Sequence, residues 1–286
     1  MTRITAELEE VRAFYAQLAA ASAREAGRSI DRDFLERLEQ AYAAVPREDF
    51  CGEGPWTVPT IAGTFATPSA DPVFLYQNIL VALDVEKGIN NGEPFLHARQ
   101  IGSIRPAVGE SLVHVGAGTG YYTAILSLLV GQSGHVDAYE IETDLAESAE
   151  LNLTAYENVT VIAASGAGQI GEADVIYVSA GAPCPPLDWL TALNEDGRLL
   201  FPWRAGPRES VAMRIERKAK GLAARAVMPA YYIELEGLPE MEEPKRTPSA
   251  SDVWRIRSVW PSAEHEPDDT ALAVYDELWF SSKAVE

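Results

Sequence analysis

Three glycines stand at a spacing that supports chemistry with a nucleotide-type ligand. Gly116, Gly118 and Gly120 follow the apolar run Leu112–Val115, and a segment with helical character comes next. Glycine lets a strand turn sharply, and it lets the backbone approach a ligand closely. A strand, a glycine-rich turn and a helix in this order predict the first half of a nucleoside-cofactor site.

An acidic residue in the next apolar run supports the same interpretation. Glu140 ends the run HVDAYE, about twenty residues after Gly120, which is the usual place for a ribose ligand. A carboxylate there can accept hydrogen bonds from two ribose hydroxyls. The alternative is that Glu140 is only a solvated glutamate. The turn and the glutamate together favour a nucleoside cofactor.

The glycine spacing also separates two cofactor classes. Dinucleotide sites usually carry G-x-G-x-x-G and need room for a pyrophosphate at the helix N-terminus. Here the spacing is G-x-G-x-G, and we expect the rings of Tyr121 and Tyr122 to crowd the place of a phosphate. S-adenosyl-L-methionine has no phosphate, so the sequence favours this methyl donor over a nicotinamide dinucleotide.

The elements that would position this site change in character near residue 111. Short apolar strands alternate with helical segments, which predicts a mostly parallel α/β sheet covered on both faces. Seven strands are expected, of which the last two form an antiparallel pair at one edge: Ser111–Val115, Val136–Glu140, Val159–Ala163, Val175–Ser179, Arg198–Pro202, Ser210–Glu216 and Ala226–Ile233.

The rest of the chain predicts helices before the sheet and an extension after it. Helical spacing covers residues 5–26, 31–45, 73–87 and 95–104. We therefore divide the chain into an N-terminal helical and substrate-cap region (1–105), a Rossmann-like core (106–236) and a C-terminal extension packed on the core (237–286). A lid or a dimer contact is the alternative role for this tryptophan-rich extension.

Composition excludes several function classes. The chain has 286 residues and a formal net charge of -20, so its surface repels nucleic acid. We expect no membrane partner and a cytoplasmic location, because the N-terminus lacks a secretory signal. Cys51 and Cys184 are expected to be reduced thiols, and a bond between them is the alternative. The four histidines form no ligand-spaced cluster with cysteine, so no metal site is predicted.

Several motifs together resemble the protein-L-isoaspartate O-methyltransferase family of class I S-adenosylmethionine-dependent methyltransferases. They are VGAGTGYYTAIL, YEIE, VIYVSAGAP, GRLLFPW and, upstream, AYAAVPREDF, and the similarity runs from about Ser29 to Trp203. The resemblance implies a Rossmann-like methyltransferase fold and S-adenosyl-L-methionine as cofactor. It also implies methyl transfer to a carboxylate acceptor of the isoaspartyl type, on a peptide or protein.

The resemblance also implies roles by position. The residues expected to bind the cofactor are His114, Val115, Gly116, Ala117, Gly118, Gly120, Tyr121, Glu140, Ile141, Ser165, Gly166 and Ser179. The residues expected on the acceptor side are Asn91, Gly92, Glu93, Pro94, Ala180 and Gly181. Within these sets, Glu140 would hold the ribose and Ile141 would lie against the adenine.

The chain departs from the family pattern at three of these positions. His114 replaces an acidic residue, and Ser165 replaces the aspartate of a G-D-G turn. Both replacements can still form hydrogen bonds. Gly92 stands where the family motif, close to T-I-S-Q-P, has its active-site serine, and this departure concerns the acceptor.

The chemistry leaves the catalytic residue open. A carboxylate acceptor is ionised at pH 7 and needs no general base, whereas an amine or a hydroxyl acceptor would want one. His97 and Ser179 are the candidates for such a role. Glu93 could bind a cationic group of the substrate or only stabilise a helix N-terminus.

The sequence leaves four functions open. The first is methyl transfer to an isoaspartyl-type carboxylate. The second is methyl transfer to a hydroxyl or amine of a small molecule or modified peptide. The third is a cofactor-binding scaffold or sensor without turnover, and the fourth, an NAD-dependent oxidoreductase, is disfavoured by the glycine spacing. A homodimer is a further expectation.

Overall fold

The computed structural model describes residues 2–26, 30–206, 209–240 and 242–285. The chain forms two compact units that alternate along the sequence. Unit 1 comprises Met1–Gly109, Ala117–His135 and Glu142–Val161, and unit 2 comprises Glu110–Gly116, Val136–Ile141 and Ile162–Glu286. The division into three regions at residues 105 and 236 stays a prediction.

Unit 1 is mainly helical in its described part. Its α-helices are α1 (Thr2–Ala23), α2 (Arg32–Ala44), α3 (Pro94–Ile104), α4 (Tyr121–Val130) and α5 (Thr143–Asn152). Short 3-10 helices lie at Arg24–Ala26, Arg47–Phe50 and Pro72–Leu75. Two antiparallel hairpins pair β1 (Thr57–Thr60) with β2 (Gly63–Ala66) and β3 (Ala82–Asp84) with β4 (Ile89–Asn90).

Local chemistry explains where the helices of unit 1 begin and end. Helix α2 begins after Asp31, whose carboxylate accepts the N–H of Phe34 at 2.7 Å, and it ends before Pro46. The predicted helix over residues 73–87 is wrong. Most of this stretch is irregular or belongs to the β3–β4 hairpin, because the carboxylate of Asp84 accepts the N–H groups of Glu86 and Lys87 and closes a turn.

A ten-stranded sheet dominates the rest of the fold. In the order of the sheet its strands are β13 (Ala271–Val274), β14 (Leu278–Ser281), β12 (Ser258–Pro261), β11 (Gly221–Pro229), β10 (Ser210–Lys218), β9 (Leu193–Arg204), β8 (Ala173–Val178), β5 (Ser111–Val115), β6 (His135–Glu140) and β7 (Val159–Ala163). Strand β8 pairs in parallel with both β5 and β9. These central strands are apolar and buried, as parallel strands are.

The sheet confirms the predicted α/β class and extends its antiparallel side. Strands β10 and β11 pair antiparallel as expected, but they do not form the edge. The C-terminal extension adds β12, β14 and β13 beyond them, so the sheet has ten strands rather than seven. The extension is therefore a continuation of the sheet. Each added strand has only four residues, which is too short for a strand pattern to be recognised in the sequence.

The core of unit 2 lies between the sheet and its own short helices, α6 (Leu187–Ala192) and α7 (Ala250–Val253). Its largest buried side chains include Trp189, Phe201, Trp203 and Phe280, and the last two stack at 4.5 Å. Cys51 in unit 1 and Cys184 in unit 2 are buried free thiols. In the residues that the structure describes, no helix has the length and apolar character to cross a membrane.

Candidate functional site

Backbone hydrogen bonds join the carboxyl ends of three strands of unit 2, namely β5, β6 and β8, around Gly116. Its N–H donates to the carbonyl of Tyr139 at 2.9 Å, and the N–H of Ser179 donates to the carbonyl of Val115 at 2.8 Å. Gly116 has a φ of +77°, a conformation that favours glycine. Ligands of open α/β sheets bind outside the carboxyl ends of the strands, so this is where the predicted cofactor residues belong.

The rest of the glycine turn lies in unit 1 and positions helix α4. Gly118 and Gly120 have φ values of +57° and +98°. A Cβ on Gly120 would lie 2.8 Å from Cδ1 of Leu153, so this glycine allows the helix start to pack closely. The N–H of Gly120 donates to the carbonyl of Ala117 at 3.0 Å, which closes the turn. Gly120 therefore allows the close packing of the following helix that the sequence predicted.

The tyrosines after the turn do not have the role that we expected. Tyr121 is buried against Tyr42 and Phe50, and its hydroxyl lies 3.1 Å from that of Tyr15. Tyr122 is also buried and packs against Tyr121. Their rings fill the core of unit 1, so their positions do not support the argument that they exclude a phosphate. The cofactor contact of Tyr121 stays a prediction.

The end of β6 carries the predicted ribose and adenine ligands. Glu140 is only 6% exposed, whereas the next residue, Ile141, is 41% exposed. A nearly buried carboxylate beside an exposed apolar side chain fits a nucleoside, which has hydroxyls on its sugar and an apolar face on its base. The residues present therefore fit the nucleoside part of S-adenosyl-L-methionine.

The loop after β7 is held by three hydrogen bonds and by tight packing. The hydroxyl of Ser165 donates to the carbonyl of Glu236 at 3.1 Å and accepts the N–H of Ala167 at 3.2 Å. Gly166 accepts a bond from the indole of Trp189 at 2.8 Å, and a Cβ on Gly166 would lie 2.8 Å from Cγ2 of Val115. Ser165, which replaces the family aspartate, is thus oriented by its neighbours.

His114 and Ser179 form a hydrogen-bonded pair at the ends of β5 and β8, in which the imidazole is buried and the serine is half-buried. Nε2 of His114 lies 3.0 Å from Oγ of Ser179, and burial lowers the pKa of His114 to about 3. The imidazole is therefore neutral at physiological pH and can orient the hydroxyl without carrying a charge. His114 is thus an uncharged hydrogen-bonding group at the position where the family pattern has an acidic residue.

The residues after Ser179 contact a segment that follows β11. Ala180 is buried. The N–H of Gly181 donates to the carbonyl of Ile233 at 2.7 Å, and its carbonyl accepts the N–H of Leu235 at 2.9 Å. A Cβ on Gly181 would lie 2.8 Å from Cδ of Arg204, so this position has no room for a side chain.

The segment 90–94 of unit 1, here called the Gly92 loop, is fixed around its glycine. Gly92 has a φ of +73°, and its N–H donates to Oδ1 of Asn90 at 2.9 Å. Its carbonyl accepts bonds from Arg47 at 3.2 Å and from the Tyr122 hydroxyl at 3.3 Å. A Cβ at this position would lie 2.4 Å from Nε2 of His97. The imidazole therefore occupies the space that a serine side chain would need.

His97 is packed rather than exposed. It is 2% exposed, and its ring stacks on that of Tyr122 with centroids 3.6 Å apart and an interplanar angle of 5°. This arrangement supports a packing role for His97, and its role as a base stays a prediction. Glu93 and Pro94 begin helix α3, where Glu93 accepts a bond from the Asn78 amide and Pro94 occupies the first turn.

Arg47 is the residue of this region that the sequence argument missed. Its guanidinium is fully buried and donates to groups on two segments, namely the carbonyls of Leu75, Gln77, Ile79 and Gly92 and the side chain of Asn91. Burial alone would lower the pKa of Arg47, but the surrounding Tyr15, Tyr122, Cys51 and Tyr121 raise it. The available signal was its place in the motif AYAAVPREDF.

The Rossmann-like sheet, the glycine turn and the acidic end of β6 define an S-adenosyl-L-methionine-dependent methyltransferase. A profile of the family Protein-L-isoaspartate(D-aspartate) O-methyltransferase matches residues 63–239, more than half of the chain. The chain belongs to this family. It is an enzyme of the methyltransferase class, and S-adenosyl-L-methionine is its cofactor.

Individual relatives agree with this assignment. A protein-L-isoaspartate O-methyltransferase of Methanosarcina mazei is 33% identical over 201 residues, which cover 65% of this chain and 74% of the relative. One from Ignicoccus hospitalis is 30% identical over 158 residues, covering 54% of this chain and 75% of the relative.

Solved structures agree in fold. A protein-L-isoaspartate O-methyltransferase matches 94% of this chain and 88% of its own, with a TM-score of 0.63 and 19% identity. One from Plasmodium falciparum, in complex with S-adenosyl-L-homocysteine, matches 77% of this chain and 97% of its own, with a TM-score of 0.58 and 19% identity.

Proposed function

We propose that this enzyme transfers the methyl group of S-adenosyl-L-methionine to the free carboxylate of an isoaspartyl residue in a peptide or protein. Family membership over residues 63–239 carries the proposal. The strand-end residues Gly116, Glu140 and Ser179 support it, because they lie where a nucleoside cofactor binds in this fold. A cytoplasmic location and a homodimer are predictions that stand beside this proposal.

Different residues would hold different parts of the cofactor. Gly116, Gly118 and Gly120 would face the methionine part, Glu140 would accept bonds from the ribose hydroxyls, and Ile141 would pack on the adenine. The cofactor supplies a methyl group on a positively charged sulfur. The protein has to place the acceptor in line with the departing sulfur and exclude water.

A carboxylate acceptor suits the groups of this region. An unperturbed carboxyl group has a pKa near 4, so the acceptor is ionised and nucleophilic at pH 7 without a general base. The buried His114 is neutral, and burial lowers its pKa to about 3, so it is poorly suited to take up a proton. When Nε2 of His114 carries the proton and donates to Oγ of Ser179, the Ser179 hydroxyl can donate to the acceptor carboxylate.

Methyl transfer to an amine or a hydroxyl is the second candidate, and the Gly92 loop favours it. No side chain at position 92 can contact the acceptor, because His97 fills the adjacent space. An acceptor site that differs from the family pattern could serve a different acceptor group.

Labelled methyl transfer separates these functions. The protein is incubated with methyl-labelled S-adenosyl-L-methionine and two peptides of one sequence, one with isoaspartate and one with aspartate. The proposal predicts label only on the isoaspartyl peptide, as an ester that mild base releases as methanol. Base-stable label would indicate an amine or hydroxyl acceptor. Cofactor binding without transfer to either peptide would indicate a scaffold or sensor.

A further inference from the structure

The β1–β2 hairpin of unit 1 is held at its base and exposed along its second strand. The N–H of Thr67 donates to the carbonyl of Trp56 at 2.8 Å, and the N–H of Trp56 donates to the hydroxyl of Thr67 at 2.9 Å. Trp56 is buried in a small apolar cluster below the hairpin. All four residues of β2 are exposed, so no part of the described chain covers this strand.

The two edges of the hairpin present different backbone groups. In an antiparallel pair, every second residue bonds to the partner strand, and the residues between them point outward. Thr67 bonds towards β1, so the backbone groups of Thr64 and Ala66 point outward. Neither makes a backbone hydrogen bond to a third segment of the described chain. The outer edge of β1 carries Pro59, which protects an edge from pairing because it has no N–H, whereas β2 has neither a proline nor a charge.

The hairpin is also an uncharged part of an acidic chain. No charged residue lies between Glu53 and Asp71, although the formal net charge of the chain is -20. Two such copies repel each other, and an uncharged surface is where they approach at the lowest electrostatic cost. Phe65 is 57% exposed and Ile61 is fully exposed, so this surface is apolar as well. A second copy of the chain presents the same uncharged, apolar strand.

We propose that β2 is a dimerisation edge, along which two copies of the chain pair antiparallel about a twofold axis at Phe65. In this register, Thr64 of each copy exchanges its N–H and C=O bonds with Ala66 of the other copy. The strand is self-complementary because Phe65 lies midway between its two outward-pointing neighbours. The two Phe65 rings then face each other in a non-hydrogen-bonded pair, where side chains are closest and aromatic pairs are favourable. Both hairpins join one sheet, which is more stable than a two-stranded one.

The size and charge of the contact determine how the dimer behaves. Strand β2 has only four residues, so the contact buries less than the roughly 800 Å² per partner of a standard interface. We therefore expect a dimer that dissociates on dilution in the micromolar range. Salt screens the repulsion between the acidic copies, so the dimer should become stronger as the salt concentration rises.

Sedimentation equilibrium of the full chain over a range of concentrations tests the pairing. Thr64→Pro removes an outward N–H and no bond within the hairpin, and Thr64→Ala is the matched control that keeps this N–H. We expect Thr64→Pro to raise the dimer dissociation constant about five- to a hundredfold over Thr64→Ala, because the twofold axis doubles the loss of one hydrogen bond. Equal constants, or a monomer at every concentration, would overturn the inference.

A second control separates strand pairing from general apolar association. Ile61 is apolar and exposed like Phe65, but it lies in the turn outside β2. Ile61→Ala should leave the dissociation constant unchanged, and Phe65→Ala should raise it. An equal rise in both variants would contradict the pairing. Binding of monomeric wild type to phosphatidylcholine vesicles would show that a lipid surface covers the hairpin instead, and it would also overturn the inference.

Disulfide cross-linking keeps the test valid if Thr64→Pro does not fold. Phe65→Cys places two thiols opposite each other across the axis, with Cβ atoms about 4.5–5.5 Å apart, which is near the reach of a disulfide. The native Cys51 and Cys184 are buried. Ile61→Cys is the control, because the two copies of position 61 lie about 20 Å or more apart in this register. We expect a cross-linked dimer only from Phe65→Cys under mild oxidation; equal cross-linking of both variants would contradict the register.

Discussion

The strand ends of unit 2 and the Gly92 loop of unit 1 are built in different ways. The strand ends place Gly116, Glu140 and Ser179 through backbone register, with hydrogen bonds between neighbouring strands. The Gly92 loop is placed by side chains, above all by the buried guanidinium of Arg47 and the ring of His97. The strand-end residues are therefore placed mainly by the backbone, and the residues of the Gly92 loop mainly by side chains.

Replacements in the two regions have correspondingly different consequences. His114 and Ser165 differ from the family pattern, yet each keeps a hydrogen bond, to Ser179 and to Glu236 respectively. At position 92 the side chain is lost, and His97 fills the space. At the strand ends one hydrogen-bonding group stands in place of another, whereas a side chain at position 92 would need the space that His97 fills.

Arg47 should have the largest effect on stability. Arg47→Met leaves several buried carbonyls without a donor, and we expect the free energy of unfolding to fall by about 3–5 kcal/mol. Urea unfolding measures the change. Arg32→Met is the control, since Arg32 is exposed and its pair with Glu36 should contribute under about 1 kcal/mol. A similar small loss in both variants would show that the guanidinium does not organise the loop.

Gly92→Ala should rank next. Alanine must adopt a positive φ and place its Cβ 2.4 Å from His97, so we expect a loss of about 2–4 kcal/mol. Gly88→Ala is the matched control, because Gly88 has a φ of +70° and nothing within 4 Å of an added Cβ. It should lose only about 1–2 kcal/mol. Adding His97→Ala to Gly92→Ala should recover part of the stability; no recovery would refute the competition for space.

Glu140→Ala tests the strand ends. We expect affinity for S-adenosyl-L-homocysteine to fall by about 1–3 kcal/mol, the scale for hydrogen bonds to a charged group. Wild type should bind in the micromolar range, and calorimetry measures both proteins. The exposed Glu147, on helix α5, provides the control Glu147→Ala with unchanged affinity. If Glu140→Ala also binds as wild type does, the ribose lies elsewhere.

His114 should make stability depend on pH. The ordinary pKa of 6.5 applies in the unfolded chain, and burial lowers it to about 3 in the folded protein. Between these values only the unfolded chain binds the proton, so stability falls as the pH falls below 6.5. At pH 5.5 the expected loss is about 1.4 kcal/mol. Denaturant titrations of wild type and His114→Gln should diverge over this range; parallel curves would contradict the buried neutral imidazole.

The sequence predicts those elements whose signal is a local spacing of residues along the chain. The strands β5, β6 and β7, the glycine turn and the place of Glu140 all follow from short patterns along the chain. The structure also confirms helix α3 at nearly its predicted bounds. In each case the signal lies within about twenty residues, the span of one strand–helix unit.

What the sequence could not predict depends on contacts between distant residues. Arg47 meets Gly92 across 45 positions of the chain, and Ser165 meets Glu236 across 71. The pairing of β12 with β11 likewise adds three strands through contacts that no local pattern reports. The helical spacing over residues 73–87 misleads for a local reason, because the carboxylate of Asp84 accepts the N–H groups of Glu86 and Lys87 and closes a turn.

Methylation of isoaspartate by a chain whose residue 92 has no side chain is the function proposed for this enzyme. Its most direct test is the ratio of kcat/KM for an isoaspartyl peptide to that for the aspartyl peptide of the same sequence, in wild-type protein. We expect a ratio of at least about one hundred. A ratio near one, or no methyl ester on the isoaspartyl peptide while S-adenosyl-L-homocysteine binds, would contradict it.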